Sequence, residues 1–160
     1  MIREYEEKDL DSIIKLFYDT VHFINIKHYT YEQVNAWAPE NIDRNLWNNS
    51  LLEHYSIVFE DNGIIKGFCD CDNKGYIDRL YVHKDFQNRG IGKKLIENIG
   101  KKLIENVEKY ILNGGVCEFY SHVSITALPF FEKRGYTVVK KQYVNRNNII
   151  LENFIVKKKL

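Results

Sequence analysis

Leu80-Tyr81-Val82-His83-Lys84-Asp85-Phe86-Gln87-Asn88-Arg89-Gly90-Ile91-Gly92-Lys93-Lys94-Leu95 decides how the chain folds. Leu80 to Val82 closes an apolar run of strand type. From Ile91 onward the apolar residues Ile91, Leu95, Ile96, Ile99, Leu103, Ile104, Val107 and Ile111 recur three and four apart. That spacing predicts a long amphipathic helix over Gly90 to Leu112, ended by Gly114-Gly115. A strand therefore enters a loop, and the loop opens a helix. Gly90 and Gly92 at the helix start let the backbone approach a ligand closely. The unpaired N–H groups of a first helical turn attract an anion, aided by the helix dipole. Arg89, Lys93 and Lys94 add positive charge there, and the geometry suits a group with two phosphates. The stretch lacks the Lys-Ser/Thr of a P-loop and the third glycine of a dinucleotide fingerprint. A tight strand-to-helix turn with no ligand is the other reading of the same glycines.

Working outward, residues 1–5 read as a short strand. Asp9 caps a helix with Leu10, Ile13, Ile14, Phe17 and Val21 near helical period. Thr30 and Gln33 form a capping-box pattern, so a second helix runs to about Trp37 and breaks near Pro39. A further short helix covers Asp43 to Leu52. Tyr55–Glu60, Ile64–Asp70 and Tyr76–Val82 read as strands, joined at Asp61-Asn62-Gly63 and Asn73-Lys74-Gly75. Connections this short make the meander antiparallel. Beyond the long helix, Val116–Tyr120 reads as a strand and Ser124–Arg134 as a helix capped by Gly135. Tyr136–Val144 and Ile149–Lys157 form a last pair of strands. The helix between the strands at 76–82 and 116–120 makes those two parallel. The expected fold is α/β, a mixed sheet of six or seven strands with helices on both faces.

Composition narrows the function. The 160 residues carry 23 basic and 22 acidic side chains, a net charge of +1, which argues against a nucleic-acid binder working by bulk electrostatics. The N-terminus has no apolar core of a signal peptide, and no stretch approaches the ~18 apolar residues of a membrane helix. The odd set Cys69, Cys71 and Cys117 fits a reducing cytoplasm. His22 and His28, and Cys69-x-Cys71, lack a second pair at ligand spacing, so no metal is expected.

Leu80 to Leu95 resembles the acetyl-CoA-binding motif of the GCN5-related N-acetyltransferases, written Q/R-x-x-G-x-G/A after a strand ending L-x-V. Ala127-Leu128-Pro129-Phe130-Phe131-Glu132-Lys133-Arg134-Gly135-Tyr136 is similar to that family's A-x-x-F-Y-E-K-x-G-F segment. Val21-His22-Phe23-Ile24-Asn25, Tyr29, Glu32-Gln33 and Ala36-Trp37-Ala38-Pro39 look like one bacterial branch of uncharacterised members. The resemblance covers nearly the whole chain and implies one N-acetyltransferase domain over 1–160, its sheet splayed at the central parallel pair. It also implies acetyl-CoA as cosubstrate and an amine as acceptor. The backbone of Arg89 to Gly92 would hold the pyrophosphate, with Gln87, Asn88, Ile91 and Lys93 in the same cofactor loop. Leu80, Tyr81 and Val82 would line the pantetheine arm, with the Val82 N–H polarising the thioester carbonyl. A β-bulge in this strand would explain why Ile77, Leu80 and Val82 do not keep one parity. Ser124, Phe130, Phe131 and Lys133 would complete the cofactor site. Relatives dimerise through sheet edges or the last strands, so a homodimer is allowed.

The expected reaction is direct attack of a neutral amine on the thioester in a ternary complex. Many relatives protonate the leaving thiolate with the Tyr of F-Y-E-K, and this chain has Phe131 there. Either the protein binds CoA with little or no transfer, as a regulatory module, or another donor serves. Tyr120, Tyr136 and Tyr143 are the candidates, with Tyr120 taken forward as catalytic. Asp78 is the candidate base, acting directly or through water, and an ion pair with Arg79 is its bland alternative. For the acceptor pocket the first two helices offer Tyr18, His22, Asn25, Tyr29 and Trp37, joined by Tyr76, with a cation–π surface for an amine.

Overall fold

The computed structural model describes residues 1–111 and 118–159. Seven strands form one sheet: β1 (Ile2–Glu4), β2 (Tyr55–Asp61), β3 (Ile64–Cys71), β4 (Tyr76–Val82), β5 (Glu118–Ser124), β6 (Thr137–Arg146) and β7 (Ile149–Lys159). Their order across the sheet is β1-β2-β3-β4-β5-β7-β6. Every neighbouring pair is antiparallel except β4 and β5, which run parallel as the crossover between them requires. The helices are α1 (Leu10–Phe23), α2 (Tyr31–Trp37), α3 (Arg44–Glu53), α4 (Ile91–Ile111) and α5 (Leu128–Glu132).

Local chemistry sets most of these boundaries. Thr30 Oγ1 accepts from the Gln33 N–H at 3.2 Å while the Thr30 N–H donates to Gln33 Oε1 at 2.9 Å, closing the capping box of α2. The Asp43 carboxylate caps α3 by accepting from the Leu46 N–H at 3.0 Å. Asn62 and Gly63 both take positive φ, as do Asn147 and Asn148, so both hairpins use turns whose twist matches the strands.

The sheet is covered on both faces. Leu95 and Ile99 of α4 are fully buried against Ile57, Ile77 and Val156 on one side. Ile13, Val21, Val34 and Leu51 of the N-terminal helices pack with Val58 and Phe68 on the other. Burying a side chain of this size contributes roughly 1.5–3 kcal/mol, so these two layers hold the molecule together. Cys69 and Cys71 are both buried in β3.

Three expectations change. Asp9 does not cap α1 with its side chain, because its carboxylate accepts from the Arg3 guanidinium at 2.7 and 2.9 Å and from the Glu6 N–H at 2.9 Å. The strand expected to end at Tyr120 continues to Ser124, because β7 pairs with it residue by residue as far as Ser124 opposite Asn153. The helix expected over 124–134 shrinks to Leu128–Glu132, since Ser124 belongs to the ladder and its Oγ accepts from the Ala127 N–H at 3.0 Å to turn the chain. Gly135 follows α5 with φ +88, the left-handed conformation expected of it. The expected helix end at Gly114-Gly115 and strand start at Val116 lie outside the described residues, as does Cys117.

Candidate active site

The site begins where the sheet comes apart. β4 and β5 pair only at Tyr76 with Tyr120 and at Ile77 with Ser121. On its other side, β4 meets β3 with Arg79 opposite Asp70 but Ile77 opposite Cys71, so Asp78 is one extra residue, a β-bulge. The bulge turns β4 away from β5 and leaves a groove of about 690 Å³ between them. The His83 N–H donates to Lys66 O, so ladder alternation turns the backbone groups of Leu80 and Val82 toward that groove. The Val82 carbonyl has no strand partner there. It accepts instead from Gln87 Nε2 at 2.6 Å and from the Thr20 hydroxyl at 3.0 Å. Gln87 thus braces the strand end rather than projecting only toward a ligand.

The loop after β4 shapes one end of the groove. Asn88 and Gly90 take φ of +59 and +77, and the first bond inside α4 runs from the Lys94 N–H to Gly90 O. The N–H groups of Ile91, Gly92 and Lys93 precede it and belong to the turn that lacks helical acceptors. A Cβ at Gly92 would stand 3.1 Å from Phe130 Cε2, so helix and aromatic wall touch only because that residue is glycine. Gln87, Asn88, Gly90, Ile91, Gly92 and Lys93 line the groove, as do Leu80, Tyr81 and Val82 of β4. Ser124, Phe130, Phe131 and Lys133 form the facing wall. Arg89 stands apart: it is exposed, and its guanidinium lies 5.2 Å from the Phe86 ring centre. Lys94 also points elsewhere, to the Phe59 ring at 5.5 Å. Phe131 is buried edge-on between Phe130 and Tyr136, at 5.4 and 5.1 Å between ring centres.

A second cavity of about 250 Å³ adjoins the groove. Tyr29, Trp37, Trp47, Tyr76 and Tyr81 give it aromatic walls. Trp37, Asp78, Tyr81, His122 and Ser124 line both spaces, so the two open onto each other at the bulge. The candidate acceptor residues divide accordingly. Tyr29, Trp37 and Tyr76 line the cavity, and Asn25 lines the groove, its Nδ2 donating to Ser124 Oγ at 3.3 Å. The Tyr29 hydroxyl is already engaged, donating to Glu152 O at 2.7 Å and accepting from the Ile125 N–H at 2.9 Å. Tyr18 and His22 line neither space. They stack on one another at 4.1 Å, and His22 Nε2 lies 2.8 Å from Ala38 O, which ties α1 to the end of α2. Tyr120 lines neither space either, because the Tyr76 ring covers it at 5.0 Å.

Asp78 sits at the junction, and burial, then the Asp70 charge, push its carboxyl above the usual carboxylate range. Arg79 is 3.7 Å from Asp78, but its real partner is Asp70, held by Nε at 2.8 Å and Nη2 at 2.7 Å. His54 Nδ1 reaches the same Asp70 at 2.6 Å and lies 3.9 Å from Asp78. These three acid and imidazole groups lie within 4.8 Å of one another. Tyr76 is pushed up to about 12 by burial and by Asp78.

His122 is the residue that sequence reading missed. Burial and then Arg146 hold its imidazole below the ordinary value, and it lines both spaces at the junction. Strand alternation carries its signal: once β5 runs to Ser124, residues 122 and 124 share the face that meets the cavity.

The chain matches the model of the acetyltransferase (GNAT) domain over residues 25–157. It is 30% identical over 158 residues to the uncharacterised N-acetyltransferase YafP of Escherichia coli (strain K12), covering 99% of this chain and 95% of that protein. A Rhodopseudomonas palustris structure described as a GCN5-related N-acetyltransferase (aminotransferase, class-II) superposes with a TM-score of 0.89 at 26% identity, over 100% of this chain and 95% of that one. The PaiA N-acetyltransferase of Thermoplasma acidophilum, solved in complex with coenzyme A, shares the fold with a TM-score of 0.77 at 19% identity, over 100% of this chain and 98% of that one.

Proposed function

Because the chain belongs to the GCN5-related N-acetyltransferase family, we propose that it transfers the acetyl group of acetyl-CoA to a primary amine on a small molecule or peptide, by direct attack in a ternary complex. One observation carries this reading: the long groove and the aromatic cavity meet at Asp78. A thioester lying along β4 would present its carbonyl carbon there, and an amine in the cavity would face it.

The chain's own groups divide the work. The first turn of α4 and the Gln87–Lys93 loop hold the pyrophosphate of the cofactor. The backbone edge of Leu80 and Val82 faces the pantetheine, with the Val82 N–H as donor to the developing oxyanion. The aromatic walls, Trp37 and Tyr76 among them, receive the ammonium form of the acceptor. Asp78 takes the ammonium proton, and the neutral amine then attacks the carbonyl carbon; the C–S bond breaks, the thiolate leaves with the electron pair, and the proton released by the new amide nitrogen passes to it to give the thiol. A thiol of ordinary pKa, near ~8.5, makes that thiolate a tolerable leaving group without the tyrosine that Phe131 replaces. Holding both reactants at one junction supplies much of the rate.

The test has two parts. Millimolar acetyl-CoA raises the melting temperature, and thiol release over a panel of primary amines identifies at least one acceptor. Absence of any stabilisation by acetyl-CoA sinks the cofactor assignment. Tight CoA binding with no acceptor in the panel favours the non-catalytic CoA-binding module, the reading for which the buried Phe131 ring speaks.

A further inference from the structure

The bulge puts two carboxylates next to each other, and the charges around them do not balance without help. Asp70 of β3 is fully buried and holds Arg79 with both oxygens. That guanidinium is one permanent cation for two acids. Asp78 is 3.7 Å from it and outside its hydrogen bonds. A second carboxylate beside a buried first one ionises poorly, because like charges raise its pKa and burial adds to the cost. A second cation is therefore required if Asp78 is to be a base. Among the described residues, the group in place is His54, at the C-terminal end of α3: its Nδ1 is 2.6 Å from Asp70 and 3.9 Å from Asp78, and its side chain retains 21% exposure.

The surroundings are otherwise accounted for. From the turn before β4, Asp72 adds negative charge at longer range. From β4 itself, Tyr76 and Tyr81 face Asp78 as neutral phenols, both raised by burial first. From β5, His122 is held below its ordinary value by burial first, and Arg146 of β6 acts on His122 and Tyr76.

We propose that His54 is a positioning residue for the proton transfer: anchored on Asp70, its imidazolium keeps Asp78 as the carboxylate that accepts the ammonium proton. This rests on Asp78 being the base. The protons balance. The reaction of an ammonium with a thioester yields an amide, a thiol and one proton. Asp78 receives the acceptor's proton while His54 remains anchored on Asp70 at 2.6 Å. His54 keeps its proton throughout, and Asp78, whose side chain is 33% exposed, passes the acceptor's proton to solvent, which restores the carboxylate.

The test is the pH profile of kcat/KM with acetyl-CoA saturating and one identified amine. His54→Gln, which keeps a hydrogen-bond donor for Asp70 without the charge, moves the acid limb upward by about one unit, the low end of the ~1–3 units that a nearby opposite charge produces. His54→Lys, with a permanent charge, returns the acid limb toward its wild-type position. An acid limb unmoved in His54→Gln overturns the proposal, as does an equal shift in His54→Lys. Asp78→Asn separates this from the underlying reading. If Asp78→Asn loses the acid limb while His54→Gln leaves it in place, only the role of His54 fails. If Asp78→Asn keeps wild-type turnover and profile, the assignment of the base fails and His54 with it. Circular dichroism and acetyl-CoA affinity of each variant, expected to stay within twofold of wild type, show that the fold is intact.

Discussion

The Thr20 hydroxyl donates to the Val82 carbonyl oxygen at 3.0 Å, joining α1 to the splayed end of β4. Thr20 and Val82 both line the groove beside the split sheet, one from α1 and one from β4. One hydrogen bond therefore fixes α1 against the end of β4 at the groove. It forms because the sheet has split: a carbonyl that a neighbouring strand would otherwise have taken is left to side chains, and Gln87 takes its other lone pair.

Thr20→Val keeps the shape and removes the donor. Gln87 still satisfies the carbonyl, so the stability loss should be about 1 kcal/mol, the ordinary net worth of one hydrogen bond. The larger effect should fall on function: a KM for the amine raised severalfold with little change in acetyl-CoA affinity. Denaturant unfolding and steady-state kinetics measure the two, and an unchanged amine KM would mean that α1 is positioned by packing alone.

Gly90→Glu should abolish cofactor binding. Gly90 has φ +77, where a side chain is strained, and open space around it, so the new carboxylate would stand free beside the first turn of α4. It would compete with the phosphates for the same N–H groups. Calorimetry with CoA should show affinity weakened by at least a hundredfold. Gly90→Ala isolates the backbone strain and should weaken it less.

Phe131→Tyr should raise turnover. The ring lines the groove between Phe130 and Tyr136, and a para hydroxyl there supplies the acid that relatives of this family carry. General acids contribute ~10²–10⁴-fold where proton transfer limits the rate. An increase in kcat of about tenfold or more is expected if thiolate departure limits wild type. An unchanged kcat would place the slow step before C–S cleavage.

The His54–Asp70 pair should make stability depend on pH. The hydrogen bond from Asp70 raises the imidazole pKa above its ordinary value, against burial. A raised folded-state value means the stabilisation is fully present below the unfolded histidine pKa of ~6.5 and is lost as pH rises through the folded one. Wild type should therefore melt above His54→Gln by the widest margin near pH ~6, and the gap should close with rising pH. Scanning calorimetry of both proteins from about pH 5.5 to 9 reads this directly; a constant gap would show that the pair carries no proton linkage.

Much of the fold was legible because its signals are local. The 3-and-4 spacing of Ile91, Leu95, Ile96 and Ile99, the Thr30–Gln33 box, the Asn62-Gly63 turn and the glycines at 90 and 92 each act within a few residues. The cofactor loop is written in one contiguous stretch for the same reason. The helix expected from Ser124 failed because strand pairing overrode the local pattern: β7 holds Ser124 in the ladder.

The junction is another matter. Asp78 could be named from sequence, but its partners could not. His54 arrives from the end of α3, Asp70 from the neighbouring strand, His122 from across the split and Thr20 from the opposite layer. Sequence by itself determined the elements, their order and the loop that suits a pyrophosphate. Only the tertiary structure decided which groups surround Asp78 and the open end of β4. Strand register and one extra residue in β4 set those distances, and register is a property of two strands at once, which no single stretch of chain encodes.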